Sequence, residues 1–302
     1  MEVVVVKIGS TWGYVITKYG YPPSVPDIIK GLRETKALGF DSMEIEGLGK
    51  DNLLAVYAVR KELKAVCDQE GLYINNFSPI LPNLASMDSA LRAEARDLYK
   101  RAIEIASFFG CSTLLGDSFP PPLKFRGDVP YKKAMNYGGH FAVEVDPAFR
   151  WDRQWDVLVE SCSFCAEEAG KAGLLFCIEP RVGEMLSNTD SLLRMIDAVP
   201  HKSFGAVLDA AHLYAQKEIL PLSVEKLGKR IFSVHVADND GKTNEHLAPG
   251  RGTVDWDGLF QALKKHGYSG YFAVDVLMVP DLEEQYRESL VFLKEMERKH
   301  SM

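Results

Sequence analysis

The chain has 302 residues, 46 % of them apolar and 25 % charged. That is enough apolar material for a large buried core, and it excludes a disordered chain. The net charge of -7 argues against a protein that lives on phosphate backbones, which would present a basic face. The N-terminus, Met-Glu-Val-Val-Val-Val-Lys, lacks a basic n-region and a long apolar run, so it reads as a strand rather than a signal peptide. No stretch approaches the ~20 apolar residues of a membrane span. The five cysteines are Cys67, Cys111, Cys162, Cys165 and Cys177. An odd count with no disulfide framework suits a reducing cytoplasm. Cys162 and Cys165 form a CxxC inside a helical pattern, without the second pair a zinc site needs, and read as ordinary thiols.

Along the chain, short apolar runs alternate with amphipathic helical stretches. Strands are predicted at Val3–Ile8, Ser42–Glu46, Leu72–Phe77, Ser112–Leu115, Leu174–Glu179, Gly205–Leu208, Ile231–Val236 and Tyr271–Val276. The helical periods between them are Val25–Leu38, Asn52–Glu70, Ser89–Phe109, Gln154–Ala172, Asp190–Ala198, Leu222–Leu227 and Trp256–His266, and Glu283–Lys299 closes the chain. Glycines 39, 71, 110, 173 and 267 stand at helix-to-strand joints, where a helix C-terminus needs a positive φ. Eight strands each followed by a helix predict a single α/β domain over residues 1–302, a closed (β/α)8 TIM barrel. The runner-up is a doubly wound open sheet. That fold usually carries a glycine-rich phosphate turn after its first strand, which Ile8-Gly9-Ser10-Thr11-Trp12 is not.

Residues 116–150 break the rhythm, being far longer than the ~2–6 residues usual for a βα loop. They hold Pro120-Pro121-Pro122 and the aromatics Phe119, Phe125, Tyr131, Tyr137, Phe141 and Phe149. An insertion after strand four opens on the catalytic face of a barrel, so it is expected to form a lid or a subunit contact. A passive surface insertion is the alternative.

In a parallel barrel the C-terminal ends of the strands converge on the site. Strand five ends in Glu179, strand six in Asp209, strand seven carries His235 and strand eight ends in Asp275. Each is embedded in apolar residues and so points from a dry wall into the mouth. Buried carboxylates are costly unless paired or metal-bound, and three beside one imidazole repel one another without a cation. Oxygen ligands with one nitrogen suit one divalent ion, Mn²⁺ foremost, or Mg²⁺, Co²⁺ or Zn²⁺. Each residue alone has a plainer explanation: Asp209 as a helix N-cap, His235 as a satisfied core histidine, Glu179 as a salt-bridge partner of Arg181. Their arrival on four consecutive strands favours the metal site.

The segments Cys177-Ile178-Glu179-Pro180-Arg181, Leu208-Asp209-Ala210-Ala211-His212, His235-Val236-Ala237-Asp238-Asn239-Asp240-Gly241 and His246-Leu247-Ala248-Pro249-Gly250-Arg251-Gly252 resemble the xylose-isomerase-like TIM-barrel superfamily. That group includes ketose 3-epimerases, inosose isomerases and dehydratases, hydroxypyruvate isomerases, 3-dehydroshikimate dehydratases and type IV apurinic endonucleases. The resemblance is strong from Leu174 to Val276 and diffuse before that. It implies that Glu179, Asp209, His235 and the strand-eight acid ligate one metal, that His212 reaches the substrate, and that the His246 loop closes near it. Two departures stand out. The epimerases usually end strand eight with Glu, where this chain has Asp275, about 1.5 Å shorter in reach. The endonucleases carry extra histidines on strands two to four, which here end Glu44-Ile45-Glu46, Asn75-Asn76-Phe77 and Leu115-Gly116-Asp117.

The resulting expectation is a cytoplasmic, metal-dependent isomerase or epimerase of a sugar, keto-sugar or keto-cyclitol, working through an enediolate. Glu179 is the base, Asp275 the candidate on the opposite face, and His212 a third catalytic group. Substrate contacts are expected from His212, His246, Arg181, Trp12, Glu46 and Arg251. The partner is a small carbohydrate-like molecule, with no nucleic acid or membrane involved, and the chain is expected to form a homo-oligomer. A β-eliminating dehydratase, with His212 or His246 as leaving-group acid, is the second reading. A barrel that has lost its chemistry is the third.

Overall fold

The computed structural model describes residues 6–116, 118–127 and 141–302. Eight parallel strands close into a barrel: β1 Lys7–Ser10, β2 Ser42–Leu48, β3 Tyr73–Ile80, β4 Thr113–Gly116, β5 Leu175–Ile178, β6 Phe204–Asp209, β7 Ile231–Val236 and β8 Tyr271–Val274. Each pairs with its neighbours in chain order, and β1 closes against β8 from Lys7 opposite Tyr271 to Ser10 opposite Val274. The helices are α1 Gly13–Tyr19, α2 Val25–Ala37, α3 Gly49–Glu70, α4 Ser89–Phe109, α5 Trp151–Lys171, α6 Thr189–Ala198, α7 Ala210–Ala215, α8 Leu220–Leu227, α9 Trp256–Lys265 and α10 Leu282–His300. The predicted barrel and its long helices are thus present.

Two short helices, α1 and α7, escaped the sequence reading. At seven and six residues they are too short to display an amphipathic stripe. The five joint glycines all have positive φ, from 65° at Gly71 to 101° at Gly39. They sit where L side chains are strained, so the chain reverses there without a Cβ penalty.

The main core lies between the sheet and the helices, and a separate small cluster of Leu115, Cys177 and Val207 fills the barrel interior. Strand side chains alternate in direction. Cys177 and Val207 therefore point inward two residues before Glu179 and Asp209, forming a dry floor beneath the polar ring. The CxxC thiols Cys162 and Cys165 are buried in α5, free of any disulfide. Burial pushes Cys162 up to about 12, which makes it an inert packing thiol.

Residues 116–150 are partly described. Lys124–Phe125 and Val143–Glu144 pair as a two-stranded antiparallel ribbon, and the rings of Phe125 and Phe141 meet edge to face, 6.1 Å between centroids. At the base of the insertion Phe119 is buried, its carbonyl accepting from the Met185 amide at 2.9 Å, and the Ser118 hydroxyl donates to Glu184. Tyr131 and Tyr137 lie outside the described residues.

Candidate active site

The C-terminal ends of the strands frame a small cavity of about 50 Å³ that opens to solvent. Its walls include Trp12, Glu44, Glu46, Glu179, Arg181, His212, His235, His246 and Asp275. Of the residues named from sequence, all but Asp209 and Arg251 line it directly.

Asp209 is fully buried and divides its two oxygens. Oδ1 caps α7, accepting the His212 amide at 2.6 Å. Oδ2 is shut away from water with no hydrogen-bond partner and lies 3.9 Å from His235 Nδ1. The N-cap reading and the metal-ligand reading therefore apply to different atoms of one carboxylate. Glu179 Oε1, also buried without a hydrogen-bond partner, stands 2.6 Å from the same His235 nitrogen. One ligand-type atom from each of Glu179, Asp209 and His235 falls within 4.8 Å of the others. Adjacent registers bring them together, since Asp209 pairs directly with His235 across β6 and β7.

Asp275 stands beside this cluster with both oxygens occupied. Oδ1 accepts from the Thr11 hydroxyl at 2.5 Å. Oδ2 and the backbone carbonyl of Asp275 accept from His246 Nδ1, at 2.8 and 3.0 Å. Both acceptors lack a proton, so Nδ1 must carry the hydrogen. His246 arrives by a loop folded on Asp238. Asp238 Oδ1 accepts the Asn239 and Val254 amides, and Oδ2 accepts the Gly250 amide and the Trp256 indole. Antiparallel bridges from Asp238 to Leu247 and from His246 to Leu277 then place the imidazole against β8. At Gly252 an added Cβ would lie 2.2 Å from Asp238 Oδ1 and 2.3 Å from the Asn239 carbonyl, so only glycine lets the loop return. His246 and His212 meet edge to face at 4.8 Å, and a nitrogen of each groups with Asp209. His212 Nδ1 is hydrogen-bonded to the Asn244 amide at 2.8 Å.

The electrostatics follow from burial of so many ionisable groups. Burial pushes Glu179 up to about 7 against the pull of His235, and raises Asp209. Burial opposes the charge on His235, but the carboxylates of Glu44 and Glu179 outweigh it and hold the ring well above its ordinary range. His246 is raised to about 9, because Asp275 and Asp209 overcome the burial that would lower it. Burial, reinforced by His246, drives His212 well below, so it is neutral at physiological pH. Asp275 is lowered despite its burial, by the hydrogen bonds and charge of His246. Three carboxylates around one imidazole, with the buried Asp209 Oδ2 making no hydrogen bond and Glu179 Oε1 aimed at the same His235 nitrogen, form a donor set that fits a divalent cation.

The outer wall carries a second charged group. Arg181 Nε lies 3.2 Å from Glu184 and 3.9 Å from Glu179. Burial pushes Glu46 up to about 8, with Arg181 opposing the rise. Trp12 is buried, serving the cavity wall and the hydrophobic core at once. Arg251 lies outside the cavity wall, bridging Asp281 at 2.6 Å and Glu288 at 2.7 Å.

Sequence reasoning missed Thr11, Glu44, Glu184 and Asn244. The first half of the chain did contain one signal. Glu44 and Glu46 flank Ile45 in an otherwise apolar strand, and an i, i+2 spacing sends both carboxylates to the same face, here the inside of the barrel.

Comparison with known proteins places this geometry in a family. The chain is 25 % identical over 259 residues to fructoselysine 3-epimerase of Shigella flexneri, spanning 82 % of this chain and 84 % of that one. It is 25 % identical over 164 residues to inosose dehydratase of Bacillus licheniformis, spanning 49 % and 55 %. Among solved structures, 3-keto-D-glucoside 4-epimerase from E. coli superposes with a TM-score of 0.74 at 21 % identity, covering 96 % of this chain and all of that one. That likeness agrees with the closed eight-stranded barrel. Residues 32–296 match the xylose isomerase-like TIM barrel family, and the chain is a member of it.

Proposed function

We propose that the protein is a divalent-metal-dependent isomerase or epimerase of a sugar, keto-sugar or keto-cyclitol. The observation that carries this reading is the meeting of Glu179, Asp209 and His235 on three neighbouring strands, with Glu179 Oε1 2.6 Å from His235 Nδ1 and Asp209 Oδ2 buried without a hydrogen bond beside them. Fructoselysine 3-epimerase matches over 82 % of the chain, whereas inosose dehydratase matches over 49 %, which supports the epimerase reading first. Glu179, Asp209 and His235 are the proposed ligands, with Asp275 as the fourth. Thr11 and His246 hold the Asp275 oxygens, each of which keeps a second lone pair. Mn²⁺ is the proposed ion.

The chemistry a divalent cation supplies there is Lewis-acid polarisation of a carbonyl oxygen. Glu179 removes the proton from the carbon beside that carbonyl, leaving an enediolate. Return of a proton to the opposite face of the same carbon gives the epimer, and Asp275, acting with His246, is assigned that side. His212, neutral and buried, offers an imidazole to a substrate hydroxyl. Arg181, Glu46 and Trp12 form the wall against the rest of the sugar. Residues 116–150 are assigned to a lid or subunit contact in a cytoplasmic homo-oligomer.

A dehydratase is the second reading. It is favoured by His246, whose protonated ring, fixed by Asp275, is a ready acid for a departing hydroxyl.

One experiment separates the two. The enzyme is incubated in deuterium oxide with ketohexoses, 3-keto-glycosides and keto-cyclitols, before and after chelation and Mn²⁺ return. Solvent deuterium at the carbon beside the carbonyl of recovered sugar, lost on chelation and restored by Mn²⁺, supports the epimerase reading. Net loss of water from substrate supports the dehydratase. Activity untouched by exhaustive chelation would overturn the metal-dependent reading in both forms.

A further inference from the structure

The His235 ring has two nitrogens and two partners on opposite sides. Nδ1 faces Glu179 at 2.6 Å and Asp209 at 3.9 Å, the group of atoms proposed above as a cation site. Nε2 faces away from that site, toward Glu44 Oε1 at 3.3 Å. Glu44 is buried, with 2 % of its surface exposed, and it reaches His235 from β2, across the barrel interior from β7. A carboxylate buried this deeply is costly unless it is paired or hydrogen-bonded. The hydrogen bond to His235 does so, and it has a direction. An imidazole that ligates through Nδ1 must carry its proton on Nε2, and an ionised carboxylate is an acceptor only. With a cation between Nδ1 and the Glu179 and Asp209 oxygens, Glu44 would therefore select the tautomer whose lone pair faces that cation.

We propose that Glu44 is a positioning residue that holds the His235 ring by its far nitrogen and presents Nδ1 to the cation site. The proposal rests on the metal reading above. Glu44 stands in the cavity wall but outside the proposed ligand set of Glu179, Asp209, His235 and Asp275. It acts through His235, fixing ring orientation and raising the donor strength of Nδ1. Outer carboxylates of this kind are commonly worth about 10–100-fold in metal affinity.

The test is a titration of chelated, full-length enzyme with Mn²⁺, reading free Mn²⁺ by its electron paramagnetic resonance signal. Wild type, Glu44→Gln and Glu44→Asp are compared, with thermal midpoints recorded with and without metal. Wild type should bind one equivalent. Glu44→Gln should bind about 10–100-fold more weakly, and its metal-free midpoint should fall as well, because the buried His235 ring loses one of the two carboxylates that hold its charge. The upward midpoint shift on adding Mn²⁺ should shrink accordingly. Glu44→Asp, which keeps an acceptor with a shorter arm, should fall between them, and it carries the test if Glu44→Gln does not fold. Unchanged Mn²⁺ affinity in a folded Glu44 variant would overturn the proposal. So would a lowered metal-free midpoint with the metal-induced shift intact, which is the mark of a purely structural residue. Failure of wild type itself to bind Mn²⁺, Mg²⁺, Co²⁺ or Zn²⁺ would instead bring down the metal reading on which it rests.

Discussion

The two halves of the barrel are built alike but equip the cavity differently. Strands β5 to β8 end in Glu179, Asp209, His235 and Asp275, side chains that converge from adjacent registers. Strands β1 and β2 contribute Thr11, Trp12, Glu44 and Glu46, which brace or wall what the other half supplies. The second half holds the reacting groups in the proposed chemistry, and the first half sets how they stand. Substitutions in the two halves should therefore fail in different ways, and that difference can be measured.

The largest effect is expected from Glu179→Gln. The amide keeps the shape of the side chain but has no basic oxygen pair, so the proton beside the carbonyl has no acceptor. Turnover should fall by roughly 10²–10⁴-fold, the usual worth of a positioned general base, with circular dichroism unchanged. Retained turnover with metal still bound would move the base elsewhere and break the division between the halves.

His212→Ala should have a more moderate effect. Its ring lies beside His246 and is bonded to Asn244, while its backbone amide, not its side chain, is bound by Asp209. The cap on α7 thus survives the substitution. A rise in KM of about tenfold is expected, equivalent to about 1.4 kcal/mol, a hydrogen bond to substrate. Mn²⁺ affinity should be nearly unchanged. A loss of metal affinity comparable to that of Asp209→Ala would reclassify His212 as a ligand.

How much of this was legible follows the same divide. In the second half each polar residue terminates an apolar strand, a local pattern that needs no knowledge of partners. Glu179, Asp209, His235 and Asp275 were named that way, and their strands were placed to within about two residues. The role of Glu44 depends on a partner 191 residues away, and no local pattern carries that information. Thr11 is equally remote from Asp275, joined to it only by closure of β1 on β8. Asp209 shows a subtler limit. Its residue type and position fit a helix cap and a ligand equally, and the geometry gives one oxygen to each. Helices α1 and α7 were missed because their length, not their composition, conceals them.

The insertion offers a third test, smaller in its effect on the fold than on function. Lys124–Phe125 and Val143–Glu144 are already paired, so residues 126–142 can be replaced by an Asn-Gly turn, which suits a two-residue hairpin. Ser118 and Phe119, which anchor the base of the insertion, stay in place. The thermal midpoint should move by only a few degrees, the scale of about 1 kcal/mol in a barrel of this size. Turnover or oligomeric state, read by light scattering, should change several-fold more. Normal turnover with unchanged assembly would make the segment passive.

The smallest effect concerns stability alone and belongs to the first half. Burial raises the Glu46 carboxyl from 4.5 to about 8, and its Oε2 has no hydrogen-bond partner. Because the folded pKa is above the unfolded one, the unfolded chain gives up this proton first as pH rises. Folding then carries a growing penalty between pH 4.5 and 8, and the penalty levels off above that window. Removing the charge should remove the slope. In metal-free enzyme Glu46→Gln should match wild type in thermal midpoint near pH 4.5 and exceed it increasingly toward pH 8. Residual slope from Glu179, raised to about 7, and from the other shifted groups, Asp209, His212 and His246, should remain in both proteins, so the comparison is of the difference between them. A Glu46→Gln protein that gains nothing at pH 8 would mean that Arg181 already neutralises the carboxylate. The first half of the barrel would then hold Glu46 as an ion pair, not as a protonated acid facing the substrate.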